Sequence, residues 1–273
     1  MSYRHLEQYV HGLPAEGSFS IWTGPVEGPS WVTSRDRDPH YAASTMKLAL
    51  VIAAYRSAEA GTLDLDDTVA VHNHFTSAAA GAPFSLDPAE DSDPEPWARR
   101  GQQVALRWLA YRAIVRSSNL ATNLLLDEVG TSAVMAALRA VGATDSVVAR
   151  GIEDADAREA GLQNLVTARD LALTLRALVS GTAAGRESCD EIVSVLGAQQ
   201  INDAIPAGLP PGTRVAHKSG WVEGISHDAA IVFPDDSAPF VVVVCTTSTL
   251  DESTGLGLIA AGARAAWSDR APS

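Results

Sequence analysis

Strand-forming patterns occur in this 273-residue chain only near its two ends, and that placement restricts the fold more than any other feature. At the amino end, Ser18 to Thr23 and Trp31 to Ser34 read as strands separated by the turn-rich GPVEGPS, which predicts an antiparallel hairpin. After Gly212 three more follow: TRVAHKSG, SHDAAIVF and PFVVVVCTT, the last two joined through Pro234, Asp235 and Asp236. Two strands at the start and three at the end predict an α/β (α+β) fold. Its centre is a five-stranded antiparallel sheet built from both termini, flanked by helices, with an inserted all-helical lobe. The chain then forms one domain over 1–273. One sub-lobe comprises 1–43 plus 212–273, the other, mainly helical, spans 44–211, and the crevice between them is the natural ligand site.

The helical patterns lie where this scheme needs them. A short helix is predicted near Ser2 to Gly12 and a closing one from about Ser253 to Trp267. From Ser44 to about Ala60 the side chains Met46, Leu48, Leu50, Val51, Ile52 and Ala54 leave hardly any polar face, so this helix is buried; Gly61 stops it. Others are predicted at Val104 to Val115, Leu120 to Val129 and Ser132 to Val141, and Thr167-Ala-Arg-Asp170 reads as a capping box opening another. Residues 83–96, PFSLDPAEDSDPEP, carry four prolines and five acids and read as a solvated surface excursion.

Charge and cysteine usage remove several function classes. With 33 acidic against 20 basic residues the formal charge is −13, which argues against nucleic acid and anionic lipid as partners. The apolar runs are far shorter than the ~20 residues of a spanning helix, which argues against a membrane. Cys189 and Cys245 read as reduced thiols, and neither belongs to a zinc pattern; His72-Asn-His74 lacks a third ligand, so neither metal nor cofactor is expected. The amino terminus shows no basic region followed by an apolar stretch, so the expected location is cytoplasmic as written, or exported if a leader has been removed.

Three short motifs carry the chemistry. Ser44-Thr-Met-Lys47 opens the buried helix, and i,i+3 spacing sets the lysine amine on the serine's face. An amine in a poorly solvated place has a lowered pKa and can accept the serine proton. Ser117-Ser118-Asn119 falls at a break between two helices, and Lys218-Ser219-Gly220 lies in the first late strand. A loop serine and a strand lysine can act together, the lysine holding a substrate carboxylate and orienting the hydroxyl that passes a proton to a leaving nitrogen. Asn119 offers an amide to an acyl side chain or to Lys47, Ser219 offers a hydroxyl to the carboxylate, and Gly220 lets a substrate lie close against the strand. Singly, each has a plain structural reading: Ser117 and Asn119 as helix caps, Lys218 as an edge charge, Gly220 as a bulge. His217, next to Lys218, should point to the opposite sheet face; Trp221 either walls the cleft or packs in the core; Asp228 reads as fixing a turn.

In order and structural context the three motifs resemble those of the class A β-lactamase and penicillin-binding serine hydrolase superfamily, and the resemblance covers nearly the whole chain. SSNLATNLLLDEVG is similar to the family's helix after its SDN element, and KSGWVEGISHDAAIVFPDD to its KTG strand, turn and following strand. The resemblance implies a β-lactamase/transpeptidase-like fold and a serine hydrolase forming an acyl-enzyme on Ser44. Lys47 would be the acylation base, Ser117 the proton shuttle, Asn119 a substrate contact, and Lys218 with Ser219 the carboxylate site. The backbone amides of Ser44 and Val222 would form the oxyanion hole. The implied substrate is a small-molecule amide or ester bearing a carboxylate, with β-lactam hydrolysis first. A carboxypeptidase or esterase of the same fold and a non-turnover penicillin-binding sensor are the alternatives. Three departures stand out: SSN replaces SDN, KSG replaces KTG, and the family's ExxLN element is absent from Arg150-Gly-Ile-Glu-Asp-Ala-Asp156. Glu153 is the candidate deacylation base, with Asp154 next and Lys47 serving both half-reactions as a third choice.

Overall fold

The structure is a computed structural model that describes residues 2–79 and 81–270. Five strands, β1 (Ser18–Pro25), β2 (Val32–Ser34), β3 (Arg214–Val222), β4 (Ile225–Phe233) and β5 (Phe240–Thr247), form one sheet in the order β2-β1-β5-β4-β3. Every pairing is antiparallel. The two ends of the chain meet at its centre, where Ser18 faces Thr247 and Pro25 faces Phe240. Strand β3, which carries Lys218-Ser219-Gly220, is the edge nearest the ligand cleft.

Eight helices of two turns or more accompany the sheet: α1 (Arg4–His11), α2 (Met46–Glu59), α3 (Leu106–Val115), α4 (Asn119–Val129), α5 (Thr131–Ala140), α6 (Ala168–Ser180), α7 (Arg186–Gly197) and α8 (Glu252–Asp269). The uninterrupted valines of β5 follow from burial on both faces. Val241 and Val243 join Ala229 and Ile231 against the helical insertion, while Val242 and Val244 join Ile21 and Ala230 against Leu6 of α1 and Ile259 of α8. Residues 46–55 of α2 are all buried, as its all-round apolar pattern predicts. Helices α3, α4, α5 and α7 surround it, and α6 and α7 also rest on the sheet, so one hydrophobic core runs from the insertion into the inner sheet face.

Local expectations fail in four informative places. Residues Gln103–Ala105 pair with Thr68–Ala70 as short strands instead of starting α3, because Val104 is buried from that pairing. Helix α7 escaped the sequence reading, although Cys189, Ile192 and Leu196 mark its buried face at i, i+3 and i+7. Thr167 Oγ1 accepts from the Asp170 amide at 3.1 Å, but the Asp170 carboxylate turns away to the amides of Asp145 and Ser146, so the capping box is only half made.

The largest correction concerns residues 83–96, which lie mostly exposed as expected but form an ordered strap along the cleft, anchored by buried Leu86, Asp93 and Pro96. Asp87 and Asp93 each cap a helical turn that opens with proline, Pro88–Glu90 and Pro94–Ala98. Asp93 is fully buried, with Nε of Arg112 donating to Oδ2 at 2.6 Å. Pro88 and Pro94 start these turns and the aspartates before them cap them; the two Asp-Pro pairs are the sequence signal for this.

Candidate active site

The reactive groups converge where α2, the α3–α4 junction and β3 meet. Ser44 sits half-buried in a 3-10 turn, Ala43–Thr45, that runs directly into α2, and Lys47 lies one turn further along. Its amine is fully buried and donates to Ser117 O (2.6 Å), Ser117 Oγ (3.3 Å), Ser118 O (3.4 Å) and Asn119 Oδ1 (2.9 Å). Lys218, also fully buried, approaches from β3 and donates to Ser117 Oγ at 3.0 Å and to Ser219 O at 2.6 Å. The Ser117 hydroxyl therefore stands between two lysine amines.

Burial lowers the pKa of both amines below the ordinary lysine range. Desolvation holds Lys47 well below the ordinary lysine range, and the Lys218 charge adds to this, opposed by Asp91 and Glu153. Desolvation brings Lys218 down to about 7, opposed by Asp228. Ser219 is 3% exposed, and its hydroxyl has no partner among the described residues, an unspent donor on the cleft-side strand.

Backbone strain gathers here. Among the described non-glycine residues only Arg35, Ala43, Ser117 and Glu153 have positive φ, and the last three flank or form this site, at +44°, +56° and +60°. Gly220 is required by contact: a Cβ there would lie 2.7 Å from the Ser44 nitrogen and 2.9 Å from the Thr45 nitrogen. The space that the sequence reading gave to a substrate is thus filled by the turn that carries Ser44.

Strand register also decides which amides are free. Val222 pairs with Ile225 across the two-residue turn Glu223-Gly224, and residues closing such a turn direct their N–H and C=O groups at each other. By alternation Gly220 also faces β4, while Ser219 and Trp221 face the open edge. The Ser219 carbonyl confirms this parity, since it accepts from Lys218 on that edge. The outward amide beside Ser44 therefore belongs to Trp221 and not to Val222, the residue expected from sequence; the Val222 side chain lies exposed at the rim of the cleft.

The cleft has a volume of about 1350 Å³, and its lining includes Ser44, Ser117, Asn119, Glu153, Trp221 and Val222. Glu153 is half-buried, and desolvation raises its pKa. Oε2 accepts from the Asp87 amide at 2.8 Å, and Oε1 from Asn119 Nδ2 at 3.4 Å, so Asn119 links Glu153 to Lys47. Asp154 faces inward: it accepts from Ser77 Oγ, the Ala78 amide and the Ala157 amide, and caps the turn Ala155–Glu159. Those three bonds take most of its acceptor capacity and the residue is 1% exposed, so although it borders the cleft it is tied to the backbone behind it.

His217 lies on the sheet face opposite Lys218, between Asp228 at 3.0 Å and Asn202 at 3.0 Å, as strand alternation predicts. Asp228 fixes no turn; from mid-strand it binds His217 and the Ile205 amide. Cys189 and Cys245 are buried and unpaired. Among the described residues no three His, Cys, Asp or Glu side chains could hold a metal ion, and no helix is long and apolar enough to cross a membrane. The strap contributes what sequence reasoning missed: Glu90 and Ser92 line the cleft, the Glu90 carbonyl accepts from Asn119 at 3.2 Å, and Asp91 lies beneath the SSN loop.

Comparison with known proteins agrees with this geometry. The profile described as the beta-lactamase enzyme family matches residues 4–269. A beta-lactamase from Proteus vulgaris is 27% identical over 89% of this chain and 76% of its own length. One from Citrobacter koseri is 30% identical over 56% of this chain; the match spans 54% of that protein, little more than half its length. Among solved structures, the beta-lactamase from Sphaerobacter thermophilus superposes with a TM-score of 0.81 at 27% identity, covering 97% of both chains.

Proposed function

The chain belongs to the beta-lactamase enzyme family, and we propose that it hydrolyses β-lactams through an acyl-enzyme on Ser44, using the groups assembled above. The observation that carries this reading is the Ser117 hydroxyl between two buried, pKa-lowered lysines. Lys47, poised as a neutral amine, takes the Ser44 proton as Oγ attacks the lactam carbonyl carbon. The amides of Ser44 and Trp221 receive the developing oxyanion. As the C–N bond breaks, the proton passes from Lys47 to Ser117 and from Ser117 to the leaving nitrogen. Lys218 as ammonium and the unpartnered Ser219 hydroxyl take the substrate carboxylate, and Asn119 faces the acyl side.

Hydrolysis of the ester needs a base beside a water. Glu153 fits: burial raises its pKa, it lines the same cleft, and Asn119 ties it to the acylation machinery. Glu153 favours turnover over a permanently acylated sensor. Intact-mass spectrometry after mixing with a penicillin and with an activated ester tests the reading. A transient adduct is expected on the parent and none on Ser44→Ala, with turnover falling at least about a thousandfold. Parental turnover in Ser44→Ala would refute the assignment of the nucleophile.

A further inference from the structure

We propose that Asp91, delivered by the strap at residues 87–93, is a positioning residue that holds the Ser117-Ser118-Asn119 loop in its reactive shape from outside the motif. The inference rests on the proposed acyl-transfer reading. Asp91 Oδ2 accepts from the Leu120 amide (2.9 Å), Trp97 Nε1 (2.9 Å) and Ser118 Oγ (3.2 Å), and Oδ1 accepts from the Asp93 amide (3.1 Å). Leu120 is among the first residues of α4, whose leading amides have no partner within the helix. Ser118 caps only the Ala121 amide, at 3.2 Å, so the Leu120 amide depends on Asp91. A carboxylate at a helix start is also favoured by the helix dipole.

The strap that delivers Asp91 is held before it by the Glu90 carbonyl, which accepts from Asn119 Nδ2 at 3.2 Å, and after it by Ser92 and Asp93. Ser92 Oγ donates to Arg116 O at 2.6 Å, Arg116 Nη2 returns a bond to Ser92 O at 3.2 Å, and buried Asp93 pairs with Arg112. The carboxylate thus braces a loop whose first residue is held at φ +56°, with the carbonyls of Ser117 and Ser118 both turned to Lys47. Asparagine at 91 would keep one acceptor oxygen for the three donors that meet Oδ2 and set its NH₂ group only against the Asp93 amide, so alanine is the substitution that removes the acceptor. The loop would then lose the brace for its left-handed residue and relax, moving Ser117 Oγ from its place between the lysines.

Asp91 also faces Lys47 electrostatically. The charged groups acting on that amine are Lys218, which disfavours its protonation, and Asp91 and Glu153, which favour it. Neutralising Asp91 therefore lets Lys47 lose its proton at lower pH. A brace without charge contact would slow the reaction and leave the pH profile in place.

Asp91→Ala should acylate with a penicillin about thirtyfold more slowly than the parent at saturation, with KM within about twofold, since misplacement by a fraction of an ångström costs rate more than binding. The acid limb of the pH–rate profile should move to lower pH. Adding Ser118→Asp to Asp91→Ala should restore most of the rate, because position 118 brings a carboxylate within 3.2 Å of the vacated one. Ser118→Asp alone should be slower than parent, from two carboxylates in contact. Glu95→Gln, on the exposed side of the strap, should match the parent. Parental acylation and an unmoved acid limb in Asp91→Ala would overturn the proposal while the acyl-enzyme reading stood. If the parent itself formed no adduct, that reading would fail. The brace would still be decided by hydrogen exchange at the Leu120 amide: faster exchange in Asp91→Ala supports it, and an unchanged rate overturns it.

Discussion

The two walls of the cleft are built on different principles. On one side, β3 presents Lys218, Ser219 and the edge amide of Trp221 through strand alternation and ladder register, with Gly220 pressed against the Ser44 turn. On the other, Ser117 and Glu153 stand on irregular backbone at positive φ and Asn119 opens α4, all held through an amide, a carbonyl and a carboxylate of the strap. The strand wall places its groups by the rigidity of a buried sheet. The loop wall places its groups by side-chain-to-backbone bonds that offset local strain, so removal of one polar atom reaches the chemistry.

The largest effect that sharpens this contrast is expected from the loop wall. Glu153→Gln should acylate at the parental rate and then accumulate the acyl-enzyme, with deacylation falling by about 10²–10⁴-fold, as loss of a general base entails. Unchanged turnover would remove Glu153 from the mechanism and favour the esterase or carboxypeptidase alternative, with Lys47 as base in both steps.

Next comes Lys218→Ala on the strand wall, which should weaken turnover of carboxylate-bearing substrates by roughly 2–4 kcal/mol relative to neutral esters. The pH dependence has a definite sign. Burial brings the Lys218 amine to about 7, so it is an ammonium below that pH and neutral above it. KM for carboxylate substrates should therefore rise as pH climbs past about 7 in the parent and stay flat in Lys218→Ala. Equal losses on both substrate types would make Lys218 a structural residue.

The smallest effect tests the stiffness of the strand wall itself. Gly220→Ala forces a methyl group against two backbone nitrogens, at 2.7 and 2.9 Å, which flexible side chains cannot relieve. A loss of about 1–3 kcal/mol in stability, read from the denaturation midpoint, with slower acylation, is expected. A fully stable, fully active variant would show that β3 can shift away from Ser44, and the contrast between rigid and braced walls would fail.

Legibility in the sequence follows the same division. Elements with a short repeat could be read because their signal is local: period-2 or wholly apolar strands, the all-round apolar α2, and helix caps such as Thr167. The three motifs were legible because SxxK is a spacing on one helix and KSG a position on one strand. Gly220 was recognised as a close-approach residue, but what approaches it is a segment about 175 positions earlier in the chain. The second free amide went to Val222 because composition gives no register; only the pairing of Val222 with Ile225 turns Trp221 outward.

By itself, then, the sequence determined the five-stranded sheet built from both ends, the buried helix behind Ser44, and the kinds of side chain available for acyl transfer. These depend on hydrophobic periodicity and residue chemistry, which neighbours along the chain suffice to express. Tertiary structure alone decided that residues 83–96 form a wall, that Asp154 turns inward while Glu153 faces the cleft, and that Asp91 braces a loop almost thirty residues away. Those outcomes depend on which distant donor reaches which carboxylate first, and an acid that looks solvated in sequence is drawn inside wherever a folded backbone leaves an amide or guanidinium without a partner.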